Sequence, residues 1–161
     1  MTAIDLKPTQ FDRLLAFGAA ILSLVVVAAL IRGRAHWGEV SPLIWAHIAT
    51  VMLAVLLTPV MLLRQRGDRL HRRIGWVWCA AMMITALLSL GIRVTNHGSL
   101  SPIHILSVVT LIGVPRLVLA ARQHRIADHR RGVRVIVSLA LLVAGLFTFP
   151  FGRMLGQWLF G

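Results

Sequence analysis

"SPLIWAHIATVMLAVLLTPVMLLRQRGDRLHRRIG", residues 41–75, opens with Ser-Pro and runs 23 residues to Leu63 without an acid, a lysine or an arginine. It closes on Arg-Gln, an acidic residue and His-Arg-Arg. A charge-free run of that length, wound as helix, crosses the roughly 30 Å of a bilayer core. Backbone amides in lipid have no water to bond, so the run is predicted as helix rather than strand or coil.

Working outward, four further charge-free runs occupy 14–31, 74–92, 94–115 and 135–152. The 161-residue chain is 58% hydrophobic and 14% charged, with a mean hydropathy of +0.82. A soluble domain of that size has too little interior for so much apolar surface. The expected fold class is all-α: a single polytopic membrane domain over 1–161. Five transmembrane helices are predicted, at about 12–32, 42–64, 73–92, 102–121 and 133–152. The first is not read as a cleaved signal, because its apolar core exceeds a signal's h-region. The single cysteine, Cys79, lies in an apolar run and reads as a core residue.

The net charge of +12 suggests nucleic acid, but its distribution argues otherwise, and no nucleic-acid partner is expected. Arg64, Arg66, Arg69, Arg72 and Arg73 crowd one loop; Arg122, Arg125, Arg130, Arg131 and Arg134 crowd another; loop 93–101 holds only Arg93. The positive-inside rule then puts both rich loops and the N-terminus in the cytoplasm and the C-terminus outside. A bacterial inner membrane is the expected location. Trp37, Trp45 and Trp158 would mark the outer interface, Trp76 and Trp78 the inner one.

The opening stretch has a partner. "SPIHILSVVTLIGVPRLVLAARQHRIADHRRGV", residues 101–133, repeats its punctuation. A proline follows 12 residues after His47 and 11 after His104; His47 to His71 is 24 residues and His104 to His129 is 25. Arg93 and Arg153 close the two copies. Helices 2–3 and 4–5 are therefore read as one duplicated hairpin, forming a four-helix bundle with helix 1 peripheral; residues 1–40 precede the repeats 41–100 and 101–161. Helix 1 would be free to dock a second copy or another subunit.

Two-fold pseudosymmetry would set His47 opposite His104 near the outer face, and His71 opposite His129 near the inner face. Paired imidazoles across a helical bundle suit a b-type haem. Its propionates would need arginine partners: Arg93 and Arg153 outside, Arg72, Arg73, Arg130 and Arg131 inside. Gly75 and Gly132 would give a flat ring room. Arg116, after Pro115, is either an interfacial arginine snorkelling to the surface or a partner for an inner propionate or a quinone headgroup. His36 and His97 are weaker outer-face candidates. The five acids, Asp5, Asp12, Glu39, Asp68 and Asp128, lie at helix ends, so no catalytic residue is assigned and an acid-base mechanism inside the bilayer is not expected.

The layout resembles the di-haem transmembrane b-type cytochromes, in which the first and third core helices share one haem and the second and fourth the other. "HRRIG" at 71–75 also resembles a family of small bacterial membrane proteins classed only as a domain of unknown function, over roughly 41–150. The resemblance implies two non-covalent haems b, electron transfer with a quinone or small redox molecule, and a possible membrane oxidoreductase. The same histidines would equally serve a metal-ion transporter, and a non-catalytic subunit of a larger membrane complex is the third reading.

Overall fold

The computed structural model describes residues 7–65, 67–92 and 103–161. Arg93 and His97 therefore lie outside the described residues. Every regular element among them is helical. Helix α1 spans Gln10–Arg32 and continues as a 3-10 turn, Gly33–Glu39; α2 spans Pro42–Leu63, α3 Arg69–Gly91, α4 His104–Arg122 and α5 Ile126–Ile136. The α5 backbone carries on without a break through a π-helical stretch, Val137–Val143, and a last turn, Ala144–Leu146. A short C-terminal helix, Met154–Phe160, follows. Helices α1 to α4 are each long and apolar enough to cross a membrane.

Local chemistry sets the ends. Thr9 and Asp12 form a capping box at the start of α1, and Pro42 sits in the first turn of α2 behind the Ser41 cap, where its missing N–H costs nothing. Asp68 caps α3 by accepting the His71 backbone N–H at 2.6 Å. That cap starts α3 at Arg69, four residues before the predicted 73. A hydrogen bond from Arg64, then the bond from His71, hold the Asp68 carboxyl below its usual range. Its cap is thus fully formed at neutral pH and fades as pH falls through that lowered value. The fifth predicted span, 133–152, is shifted toward the N-terminus, the helical run covering 126–146. Pro150 cannot continue a helix and disfavours helical geometry at Phe149, and Phe151 and Gly152 turn the chain at φ 64° and 66°.

Contacts between neighbours give the topology. Leu43 meets Gly91, Thr58 meets Trp78 and Met61 meets Gly75, so α2 and α3 run antiparallel. Ser89 bonds Ser107 and Ile92 bonds His104, which sets α4 antiparallel to α3. Asp12 meets Arg130, Gly18 meets Leu142 and Leu22 meets Gly145, so α1 and α5 run parallel, side by side. The five helical runs close a ring in chain order.

Helix 1 is therefore not peripheral, contrary to expectation. Its seam of Asp12, Leu15, Ala16, Ala19, Leu22, Val26 and Ala29 is buried between α2 and the π-helical stretch. The spacing of three and four places these on one face. The alanines let helix backbones approach closely, as packing in lipid requires. The opposite face carries Leu14, Phe17 and Leu24, each at least 64% exposed. Small residues inside and large apolar ones outside is the order expected of a protein solvated by lipid.

The tryptophans divide between the ends. Trp37 and Trp45 meet edge to face at 5.3 Å. Trp158, on the C-terminal helix, lies over Gly33, where an added Cβ would fall 2.1 Å from the ring. Trp78 is not interfacial as predicted: it is 1% exposed and donates to the Thr58 hydroxyl at 3.0 Å. Placing a methyl at Gly33 would push a rigid ring out of its seat. Gly33→Ala is expected to cost about 1–3 kcal/mol, and to expose Trp158. A red-shifted, more quenchable tryptophan emission, absent from the additional variant Trp158→Phe, checks this.

Candidate cofactor cavity

In the half that carries Trp37, Trp45 and Trp158, the ring surrounds a half-open cavity of about 990 Å³. This lies at the top of the roughly 300–1,000 Å³ typical of small-molecule and cofactor sites. Its walls are largely apolar: Leu22 and Val26 of α1, Ile48, Val51 and Val55 of α2, Met82 of α3, and Leu141 of the π-helical stretch. Two histidines enter from different helices. His47, from α2, and His104, from α4, both line it, with Arg153 and the C-terminal helix at its outer end. His36 and Glu39 also line it, and they bond each other at 3.2 Å.

Helix α3 positions both imidazoles. The His47 Nδ1 lies 3.2 Å from the Thr85 carbonyl. A carbonyl only accepts, so Nδ1 carries the proton and Nε2 keeps its lone pair. This is the arrangement in which metal-bound histidines are commonly held. His104 is 6% exposed and faces the Ile92 carbonyl with Nε2, at 3.2 Å. The two anchors, Thr85 and Ile92, lie seven residues apart on one face of α3, about 10 Å along its axis. The two rings are therefore fastened by different nitrogens and at different depths, not as mirror partners at one level. The stagger follows from the sequence: His47 stands six residues after Ser41, His104 only three after Ser101.

A polar stripe joins them. Thr85 donates to the Thr50 hydroxyl at 2.8 Å, and Ser89 bonds Ser107. Thr110 returns its hydroxyl to the Leu106 carbonyl. Sequence reasoning passed over these hydroxyls. Their signal was Thr85 and Ser89 four residues apart on α3, facing Ser107 and Thr110 on α4.

The inner pair is arranged differently. His129 Nδ1 lies 2.9 Å from the Leu117 carbonyl, and a Cβ added at Gly132 would fall 3.1 Å from the Leu117 Cβ. Both lock α5 onto α4, so Gly132 serves helix packing. Gly75 faces the end of Met61, which a Cβ added at Gly75 would meet at 3.9 Å. His71 sits half-buried in the first turn of α3. Neither His71 nor His129 lines this cavity or the apolar groove between α3 and α4.

The predicted arginines scatter. Arg153 alone among the described ones lines the cavity. Arg130 instead bonds Asp12 at 3.1 Å. Arg72 bonds the Gly67 carbonyl, while Arg73, Arg116 and Arg131 are exposed. Asp12, which sequence reasoning left as a helix-end acid, is 0% exposed. It takes bonds from Arg130, from Arg134 at 2.8 Å and from Thr9 at 2.8 and 2.9 Å. This buried cluster clamps α1 to α5 at the arginine-rich end. The sequence signal was the Thr-x-x-Asp capping box at residues 9–12.

Among the described residues no group of three or more His, Cys, Asp or Glu side chains gathers as a metal site. Comparison with known protein families, curated proteins and solved structures finds no match.

Proposed function

We propose that this protein is a small b-type cytochrome whose haem occupies the cavity in the half that carries Trp37, Trp45 and Trp158. In this reading all five helical runs cross the membrane, 126–146 forming the fifth, and helices 2–5 descend from a duplicated hairpin. The N-terminus lies in the cytoplasm of a bacterial cell and the cavity in the outer leaflet. The arginine distribution supports that orientation. One observation supports the function: a single half-open cavity collects His47, His104 and Arg153, three residues assigned to the outer haem from spacing alone.

The residue types suit the group, although the two imidazoles are fastened at different depths. Two imidazoles, each held by a backbone carbonyl, enter a cavity with apolar walls, and one guanidinium lies at the rim. His47 and His104 would hold the iron, and Arg153 would pair with a propionate. When bound, haem supplies a one-electron couple. The chain's own part is orientation and exclusion. The Thr85 carbonyl fixes the His47 ring and raises its basicity. The apolar walls keep water out, and the Thr50, Thr85, Ser89 and Ser107 hydroxyls bond one another rather than competing for the site. The exchange partner would be a quinone or small redox molecule arriving from the membrane. The second haem has weaker support, because His71 and His129 line no common cavity.

The protein purified from cells supplied with haem precursor is expected to be red, with a Soret band that sharpens on reduction. A colourless protein that also fails to shift the Soret band of added hemin would overturn the proposal.

A further inference from the structure

Outside the ring, between α3 and α4, lies an apolar groove of about 430 Å³. Trp76, Ala80 and Met83 form one wall, Pro115 and Val118 the other, and Arg122 stands at its end. The Arg122 guanidinium sits 5.6 Å over the Trp76 ring. Ala80 opens the space, being small where Trp76 and Met83, one turn away on either side, are large. From Val114 to Arg122 the groove follows eight residues of α4, about 12 Å.

The charge lies at one end only. Arg72 and Arg73 come four and three residues before Trp76, and Arg69 seven before it, so the groove's α3 face leads directly into them. All three are exposed, as is Arg122. Among the described residues no acid lines the groove. An apolar groove running from a cluster of arginines along two apolar helices has the polarity of one kind of molecule. We propose that it binds an anionic phospholipid, with the acyl chain along Ala80 and Pro115 and the headgroup phosphate at Arg122 and Arg73. Basic pockets between membrane helices recognise such headgroups. A zwitterionic lipid has the same chain but no net charge to repay the arginines. The site is independent of what fills the ring's central cavity.

The experiment is native mass spectrometry of the full chain in detergent, titrated with dioleoyl phosphatidylglycerol or dioleoyl phosphatidylcholine. Retained adducts of the anionic lipid alone are expected. Each arginine near the surface contributes about fivefold in affinity, so Arg73→Gln with Arg122→Gln is expected to weaken binding about 25-fold. Ala80→Leu, which leaves every charge in place, is expected to weaken it as well by filling the channel. Arg122→Lys should restore most of the binding lost in Arg122→Gln, and unchanged circular dichroism and elution volume show that each variant is folded. Equal retention of both lipids would overturn the proposal. So would an unaffected Ala80→Leu, since the arginines would then attract headgroups with no chain seated, or binding of inorganic phosphate that competes fully with the lipid.

Discussion

His47→Ala is expected to strip the purified protein of its Soret absorbance. The imidazole enters from α2, is fixed by a neighbouring backbone carbonyl through Nδ1, and lines the cavity. Removing merely an outer hydrogen-bond partner of a metal ligand costs roughly 10- to 100-fold in affinity, so loss of the ligand itself should cost at least that. His104→Ala should do less. Its ring is fastened about two turns farther out along α3. The expected product is a protein that still takes up haem but shows the high-spin spectrum of an iron with one imidazole. Absorbance of the reduced protein and electron paramagnetic resonance of the oxidised one separate the two variants. His71→Ala is expected to leave the spectrum unchanged, since that ring lines no part of the cavity. Equal bleaching by His47→Ala and His71→Ala, with both variants folded, would contradict the assignment.

Asp12→Ala should destabilise the fold more than other single changes outside the cavity. Asp12 is wholly buried, while Arg130 and Arg134 retain side-chain exposures of 22% and 27%. Deleting the acid leaves two guanidiniums facing each other with their shared counter-charge gone. Breaking a buried ion pair by removing one partner costs about 3–5 kcal/mol, and the arginines' residual exposure favours the lower end. At roughly 2–4 °C per kcal/mol for a chain of this length, Tm should fall by about 6–12 °C. Asp12→Asn keeps the shape and the cap but not the charge, and should fall between. The readout is thermal unfolding in detergent followed by circular dichroism. An unchanged Tm in Asp12→Ala would mean that α1 is held to α5 by apolar packing alone.

Both predictions rest on α1 and α5 lying side by side, and that adjacency was not legible in the chain. Hydropathy treated the first helix as an addition to a repeated core. Its buried seam of Ala16, Ala19 and Ala29 belongs to a helix that is apolar on all sides, so periodicity could not show which face turns inward. Asp12 read as an ordinary first-turn acid, because nothing in sequence links it to arginines more than a hundred positions away. The repeat was more informative. It singled out His47, His104 and Arg153, which share one cavity. It also implied a symmetry that the six- and three-residue offsets of the histidines from their Ser-Pro starts do not support.

From composition and run length, the sequence alone determined that this is a helical protein with several segments long and apolar enough to cross a membrane, and where most of its helices begin and end. Those properties depend on local physics: the length of an apolar run, the cost of an unbonded amide in lipid, and the cap or proline at each end. The closed ring, the depth of each imidazole and the pairing of Asp12 with Arg130 and Arg134 were decided only in three dimensions. In lipid, large apolar side chains are equally satisfied on every face. Which faces meet is settled by small-residue packing and a few polar contacts between distant segments, and neither leaves a period in the sequence.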